Sequence, residues 1–450
     1  MSIIENSKSS ISQNNYSKQS LTYITGLRIF QIGVLFLAAA PVISFLLLII
    51  SSVLGSVNRQ NNFFNDKYNY PFLIVSVLMI VNCIFITFNY EDRYFVELST
   101  LWVGLSNWIP FFWCFWGFQP FLKNPKLRLK TSILFIIGSL PVLVSGFCQY
   151  FLKIYGPYKF FNNLIIWYQR PLGESNGVTG IFNNQNYAGA WLCIILPLCI
   201  VFVIKNNTYL YKRILVFLNS LSFIYMIVLT SSRGAILSIF MSIFLLSNSI
   251  KNKIYIILSL VAIPLILNLI PTIPLNLQST IYNFLPFELI KKASITKLSN
   301  FELFPRIEIW SKSLELIKSN VRTGYGAGSF ENLYSLSNGN FNEIQHSHNI
   351  FLEIALNHGL PSSLIIFSTM VFIITNCWTK NFNLNLKRVI NQDNETKKFD
   401  QAWIISFITF FLIHNFDITY FDGRISTLAW ILLAGMRSII KESKKYRNLS

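Results

Sequence analysis

Residues 27–57 read LRIFQIGVLFLAAAPVISFLLLIISSVLGSV, an apolar run of 31 residues whose only charge is Arg28 and whose only proline is Pro41. An unbroken helix of that length, at about 1.5 Å per residue, overshoots the roughly 30 Å hydrocarbon core of a bilayer. Pro41 lacks the N–H that a helix interior needs, so the run is expected to break there into two short tilted segments. "AAAP" at 38–41 resembles a cleavage site, but the apolar run continues past it, so an uncut anchor is expected. Ten further apolar runs follow at about 71–89, 95–122, 131–152, 185–204, 211–230, 234–250, 253–270, 350–376, 401–420 and 425–440. Backbone polar groups must be satisfied internally in lipid, so these runs are helices. The expected fold is an all-α integral membrane protein with about 11–12 transmembrane helices and one long extracytoplasmic loop before the last three spans.

Composition agrees, with 53% hydrophobic and 12% charged residues, where soluble domains carry roughly 25% charged. The formal charge of +18 does not point to nucleic acid, because Lys and Arg fall in short loops between spans, as the positive-inside rule requires. Lys123, Lys126, Arg128 and Lys130 mark one cytoplasmic loop. Alternation then places Lys205, Lys212, Arg213, Lys251, Lys253, the 380–398 segment and the 441–447 tail on the same side. It places 153–184, 231–233, 271–349 and 421–424 outside, and two segments within 27–57 bring both chain ends to the cytoplasm. The expected organisation is a disordered tail over 1–25, rich in Ser, Asn, Gln and Lys at its start. N-terminal spans follow over 26–270, then an extracytoplasmic loop over 271–349, C-terminal spans over 350–440 and a basic tail over 441–450. The six cysteines show no C-x-x-C spacing, so neither a disulfide framework nor a thiolate metal site is indicated. No internal repeat relates the two halves.

Neither a phosphate-binding Gly-rich loop ending in Lys-Ser/Thr nor an Asp-x-Asp pair is present. The chemistry-bearing residues gather instead on the expected outer face. In LTSSRGAIL (229–237) Arg233 opens a span, Ser231 or Ser232 can cap it, and the helix start is an anion site. The alternative is an arginine that only meets headgroups. In FPRIEIWSKSLELIKSN (304–320) Pro305 suits a first helical position, and Ile307, Trp310, Leu314 and Ile317 recur at helical spacing. An amphipathic helix on the outer leaflet is expected, with Arg306 at its start able to stack on Trp310. An ordinary surface arginine paired with a glutamate is the alternative. TGYGAGSF (323–330) alternates Gly324, Gly326 and Gly328, which permits close backbone approach or simply a turn. In FNEIQHSHNIFLEIALNHGLP (341–361) His346 and His348 lie where the chain re-enters the membrane. Only Glu343 and the distant His358 could join them as ligands, so no metal site is expected.

Four segments then carry a family resemblance in order over about residues 175–376: GVTGIFNNQNYAGAWLCIILPL, SSRGAIL, PRIEIWSKSLELIKSNVRTGYGAGSF and HSHNIFLEIALNHGLP. The chain resembles the O-antigen ligase and O-antigen polymerase family of multi-pass membrane glycosyltransferases. The resemblance implies a glycan donor on undecaprenyl diphosphate and a glycan or lipid-linked acceptor hydroxyl. It places the reaction at the periplasmic face of the bacterial inner membrane, in lipopolysaccharide or other surface polysaccharide assembly, with no cofactor and no metal. Arg233 and Arg306 would hold the diphosphate, and His348, in the motif completed by Asn349 and Gly359, would be the general base. Asn186, Tyr187, Gly326, Asn349 and Arg424 are candidate glycan contacts, although Arg424 with Asp422 also reads as a turn salt bridge. The chain departs from the family pattern at Asn184-Gln185-Asn186, where Asn-Pro-Asn is usual, and at Pro361-Ser362. Polymerisation of carrier-linked repeats and transport of inorganic carbon are the alternatives within the family. Transport would favour deep ionisable groups such as Glu353, His414 and Asp417. A dolichol-type transferase would need a carboxylate in the first outer loop, where Asp66 is the candidate.

Overall fold

The computed structural model describes residues 21–57, 62–89, 97–173, 177–204, 209–247, 249–286, 289–290, 305–338, 344–383 and 394–448. The tail over residues 1–20 and Glu343 lie outside them. The run quoted above breaks where Pro41 requires it. Helix α1 (Leu21–Phe36) and α2 (Pro41–Ser56) form a hairpin, in which Ser44 Oγ donates to Gly33 O at 2.7 Å. A Cβ on Gly33 would meet Leu48 at 2.8 Å, so glycine is what lets the two helices approach. Both open ends of the hairpin reach the basic loop: Lys123 lies 4.4 Å over the Tyr23 ring, and Gly55 rests on Gly117. The closing turn lies at the other end, where Trp167 Nε1 donates to Ala39 O at 2.8 Å. The segment therefore folds as two helices that run back on each other. Leu21, the first described residue, is already helical, so the tail boundary expected at residue 25 falls inside α1.

The chain continues through α3 (Tyr70–Phe88), the short α4 (Leu98–Gly104) and α5 (Ile109–Gly117), then α6 (Pro125–Gly138) and α7 (Leu140–Phe151). An outer hairpin follows, with β1 (Tyr158–Phe160) antiparallel to β2 (Ile165–Trp167). Next come α8 (Gln185–Ile204), α9 (Leu210–Leu229), α10 (Arg233–Leu246), α11 (Ile250–Leu269) and α12 (Leu275–Phe284). The region expected to lie outside, called the outer region below, carries α13 (Pro305–Ser319) and α14 (Ser329–Asn338). Last are α15 (Ile350–His358), α16 (Leu360–Asn383), α17 (Asn394–Ile413) and α18 (Gly423–Asn448).

Among the described residues seven helical stretches are long and apolar enough to cross a membrane: 70–88, 125–151, 185–203, 210–229, 250–272, 360–379 and 423–442. The other expected spans are shorter, as in α1, α2 and α10, are broken, as over 98–117, or start with charges, as in α17. The protein is an all-α multi-pass membrane protein. Helix α8 is apolar on every side and is buried in the bundle, whereas α11, equally apolar, is exposed almost throughout, the two outcomes open to such helices in lipid; α18 is also buried over 423–442 although it carries Arg424, Arg437 and Lys441.

Three expectations change. The apolar run over 350–376 is two helices separated by Gly359, whose φ of 81° and ψ of 153° belong to a region essentially reserved for glycine. A Cβ there would stand 2.1 Å from Arg322 O. Helix α15 belongs to the outer region, where Leu352, Ala355 and Leu356 join Ile309, Ile317, Phe330 and Tyr334 in a separate small core. Along α13 the buried face is Ile309, Ser313 and Ile317, while Ile307 and Leu314 stand about half exposed, so the expected stripe is split. The basic tail over 441–450 is not separate, since α18 runs on to Asn448.

At the Lys123 end of the bundle, buried Arg128 pairs with Asp400 at 2.7 Å and Glu442 at 2.9 Å. Asp66 pairs with Arg437 and Lys441, both at 2.9 Å. Asp66 is thus committed to ion pairs at that same end.

Candidate functional site: a cationic cavity at converging helix starts

Three helices begin around one cavity of about 100 Å³: α8 brings Gln185 and Asn186, α10 brings Arg233, Gly234 and Ala235, and α13 brings Arg306. The end of α17 and the loop after it close the wall with Ile413, Phe416, Asp417 and Thr419. Each helix start turns the positive end of its dipole toward the cavity, although Asn184 Oδ1 already accepts from Asn186 N at 2.7 Å, and with two guanidiniums the site favours an anion. The expected cap by Ser232 is absent, which leaves the first turn of α10 without that acceptor. Nothing stands within 4 Å of a Cβ built on Gly234, so this turn faces open space. Close packing brings α8 and α10 together, because a Cβ on Gly189 would touch Ala235 and Ser232.

Arg306 is half-buried. Burial lowers its guanidinium from the usual range, Asp417 partly offsets that, and Arg233 lowers it further. Two like charges face one carboxylate here, an arrangement that an added anion would balance. The expected stacking of Arg306 on Trp310 is not formed among the described residues; the Trp310 ring lies 6.4 Å from Phe416 instead.

Asp417 joins the cavity to the histidines. Its Oδ1 lies 3.0 Å from His348 Nδ1 and accepts from Ile418 N at 3.0 Å, while Oδ2 accepts from Asn186 Nδ2 at 2.7 Å. Burial raises the Asp417 carboxyl, but the hydrogen bond and charge of His348, with Arg306 and His346, outweigh it and hold the group below the usual carboxylate range. With Nδ1 donating to Asp417, His348 keeps Nε2 as its free lone pair, the tautomer of a general base. His346 packs edge-on against it, ring centroids 4.4 Å apart, and burial with the neighbouring His348 lowers its pKa to about 4.

The 346–349 turn is held from both sides. His348 has a φ of +54°, uncommon for a non-glycine residue. The buried Glu353 accepts from Ser347 N and Oγ, both at 2.9 Å, which clamps the residue before it. The Asn349 side chain caps α15 by accepting from Phe351 N and Leu352 N, and its Nδ2 donates to Asn415 O at 3.1 Å. His414 lies 2.7 Å from Phe410 O and 2.9 Å from Thr419 Oγ1, and its carbonyl accepts from Ile350 N. Glu353, His414 and Asp417, the deep ionisable groups a transporter would use, thus shape one turn at the outer helix ends.

The structure brings Arg233, Arg306 and Asn186 to one cavity, with His348 joined through Asp417. Tyr187 lies within electrostatic reach of Asp417, Asp422 and Arg424. Arg424 is committed to Asp422, with Nε donating to Oδ1 at 2.8 Å, and its guanidinium lies 3.8 Å over the Phe182 ring. Gly326 is not brought in: its N–H donates to Asn357 O at 3.1 Å, in the loop that covers the end of α15.

Asp417, which the sequence offered only as a deep ionisable group for transport, is the histidine's partner that sequence reasoning did not find. It also supplies the third donor the His-x-His pair lacked, since His346, His348 and Asp417 offer ligand atoms within 4.8 Å of one another. Such a trio could hold a divalent cation by geometry. Electrostatics oppose it here, because the carboxylate already serves His348 and Asn186 and two arginines stand beside it.

None of the curated proteins compared with the chain matches it. Residues 216–367, about a third of the chain, match a family model described as O-antigen ligase. That segment contains Arg233, Arg306 and His348, while Asn186, Asp417 and Arg424 lie outside it. The O-antigen ligase family is accordingly the one this protein resembles.

Proposed function

We propose that the protein transfers a glycan from an undecaprenyl diphosphate carrier to an acceptor hydroxyl at the periplasmic face of the bacterial inner membrane, in surface polysaccharide assembly. The observation that carries this reading is the convergence of Arg233 and Arg306 on one cavity walled by Asp417, the hydrogen-bond partner of His348. His348 Nε2 takes the proton of the acceptor hydroxyl, whose oxygen attacks the anomeric carbon of the reducing-end sugar. The bond from that carbon to the diphosphate oxygen breaks, and its electron pair leaves on the carrier diphosphate. Arg233 and Arg306 stabilise the charge that develops there, as fixed cations at a leaving group do. Asp417 keeps the imidazole in the basic tautomer and stabilises the imidazolium, so no metal or cofactor is required.

The test is transfer in vitro by purified protein from a carrier-linked glycan to an acceptor glycolipid, following glycosylated acceptor and released carrier diphosphate together. Equimolar release of the two by wild type, lost in His348→Ala at matched folding, is expected. Wild-type protein that releases no carrier diphosphate, or unchanged turnover in His348→Ala, would overturn the reading.

A further inference from the structure

The β1–β2 hairpin takes no part in lining the cationic cavity. Its register sets Tyr158 opposite Trp167 and Phe160 opposite Ile165, so these four side chains share one face. From that face Trp167 reaches the closing turn of α1 and α2, donating from Nε1 to Ala39 O at 2.8 Å, and the Phe160 ring lies 5.5 Å from its own. The base of the hairpin is held to α7. Buried Gln169 donates from Nε2 to Ser145 O at 3.0 Å and to Ile154 O at 3.2 Å. The tip is exposed. Phe161, Asn162 and Asn163 all have positive φ, a conformation that suits Asn but is uncommon for a bulky residue, and Phe161 is 77% exposed.

Lipid is what fits this surface. Helix α2 has 16 residues and α1 spans as many, about 24 Å at about 1.5 Å per residue, against roughly 30 Å of hydrocarbon. A pair that starts level with Lys123 therefore closes inside the acyl layer of the far leaflet, where a carbonyl finds no water. Trp167 supplies the donor that Ala39 O needs there. The exposed residues Leu140, Val144 and Phe151 of α7 run on in sequence through exposed Leu152 and Ile154 to the hairpin. Lys153, Lys159 and Arg170 are exposed around it, and no Asp or Glu occurs between residues 140 and 173. Tyr and Trp next to cations and apolar side chains make up a membrane–water interface. A sheet of two strands also leaves backbone groups on both edges, which keeps it out of the hydrocarbon core and at headgroup level.

We propose that this hairpin is a lipid-binding anchor in the leaflet away from Lys123. Phe160, Phe161 and Leu164 enter the upper acyl layer, and Lys153, Lys159 and Arg170 hold the phosphates of anionic phospholipid. The hairpin makes up the length that α1 and α2 lack, so the bilayer need not thin around them.

The test places an environment-sensitive NBD fluorophore on Phe161→Cys, in the full chain with its six native cysteines replaced and reconstituted in phosphatidylcholine nanodiscs. Val144→Cys on the apolar face of α7 and the exposed Glu331→Cys of α14 are the controls. Lipid carrying a doxyl quencher high on its acyl chain should quench position 161 as strongly as position 144, and aqueous iodide should quench it less than position 331. Quenching by iodide alone would put the hairpin in water, and protection from both quenchers would put a protein over it; either result would overturn the proposal. Doxyl-labelled phosphatidylglycerol should be enriched at position 161 over doxyl-labelled phosphatidylcholine by roughly 5-fold, the equivalent of the about 1 kcal/mol that one cation contributes at an anionic lipid surface. That preference should vanish in the Lys153→Gln, Lys159→Gln, Arg170→Gln triple variant while quenching at position 144 is unchanged. Equal quenching by the two lipids in the parent chain, or a preference that survives in the triple variant, would overturn the phosphate contacts and the proposal with them. Neither readout involves glycan transfer, so the anchor and the proposed reaction stand or fall separately.

Discussion

Asp417 serves His348, Asn186 and the Ile418 N–H at once, so its charge and its geometry can be separated by substitution. Asp417→Asn keeps the shape but removes the charge that favours the imidazolium, and turnover should fall roughly 10–100-fold, within reach of general-base effects. His348→Ala should fall further, by roughly 10²–10⁴-fold, and His346→Ala less, because His346 supports the ring of His348 without contacting Asp417 through a hydrogen bond. For Arg233, lysine keeps a point charge but loses the paired donors of the planar fork. Arg233→Lys should lose about 10–100-fold in transfer, about 1.4–2.7 kcal/mol in the barrier, with KM and kcat measured separately. Wild-type turnover would return Arg233 to a headgroup-binding role. Acid should also weaken the fold here. His346 is held near 4 against 6.5 for the free side chain, so the unfolded chain protonates first and stability present above about 6.5 is lost as pH falls toward 4. Asp417, held low, acts in the same sense at lower pH, its contribution being lost as pH falls through its folded value. Melting of His346→Asn should depend less steeply on pH than that of wild type between 6.5 and 4. Arg233, Arg306 and His348 were legible because charge is rare at the ends of apolar runs. Asp417 was not, since a lone carboxylate after a span carries no local pattern that points to a histidine 69 residues away.

Helix α15 is short because both of its ends are specified. Asn349 caps its start, and Gly359 ends it in a conformation that side chains avoid. Gly359→Ala should lower stability by about 1–3 kcal/mol from backbone strain alone, and more if the Arg322 carbonyl cannot withdraw. Thermal unfolding in detergent measures the loss. Asn349→Ala removes two N–H acceptors at the first turn, an effect of about 0.5–2 kcal/mol, and frees the residue that follows His348, so turnover should fall more than stability. The break at Gly359 was hidden in the sequence by its surroundings: apolar residues on both sides fill one continuous run, and hydropathy does not register a single glycine. Proline is louder, which is why the break before Pro41 could be read. The amphipathic stripe of α13 was legible as a helix but not as a face, because Ile309, Ser313 and Ile317 meet protein while Ile307 and Leu314 stand half exposed, and periodicity alone does not say which neighbour each residue has.

Across the whole molecule the end of the bundle that carries Lys123 is tied by buried ion pairs, and the loop charges predict that this end is cytoplasmic. Arg128 joins α6 to α17 and α18 through Asp400 and Glu442. Arg128→Met would strand two carboxylates and should lower stability by about 3–5 kcal/mol, the usual effect of breaking a buried pair from one side. Orientation is checked by cysteine substitution in a background lacking the six native cysteines. Glu331→Cys should react with an impermeant maleimide from outside and Lys126→Cys should not; the reverse would invert the topology. Apolar runs and loop charges were enough to foresee the bundle, since lipid leaves the backbone few options. The site was only half foreseen, because its residues meet through contacts among α8, α10, α13 and the loop after α17 that no local signal encodes. The two arginines also stand on helices with different packing partners, Arg233 opening α10 in the bundle and Arg306 opening α13 beside the small core. An anion held by both would tie α10 to α13, a link formed and dissolved with occupancy. Soluble pyrophosphate should therefore act as a stabiliser detectable without any turnover, raising the unfolding free energy by about 2.7 kcal/mol at a hundred times its Kd, and protecting the α13–α15 region from proteolysis in the same concentration range.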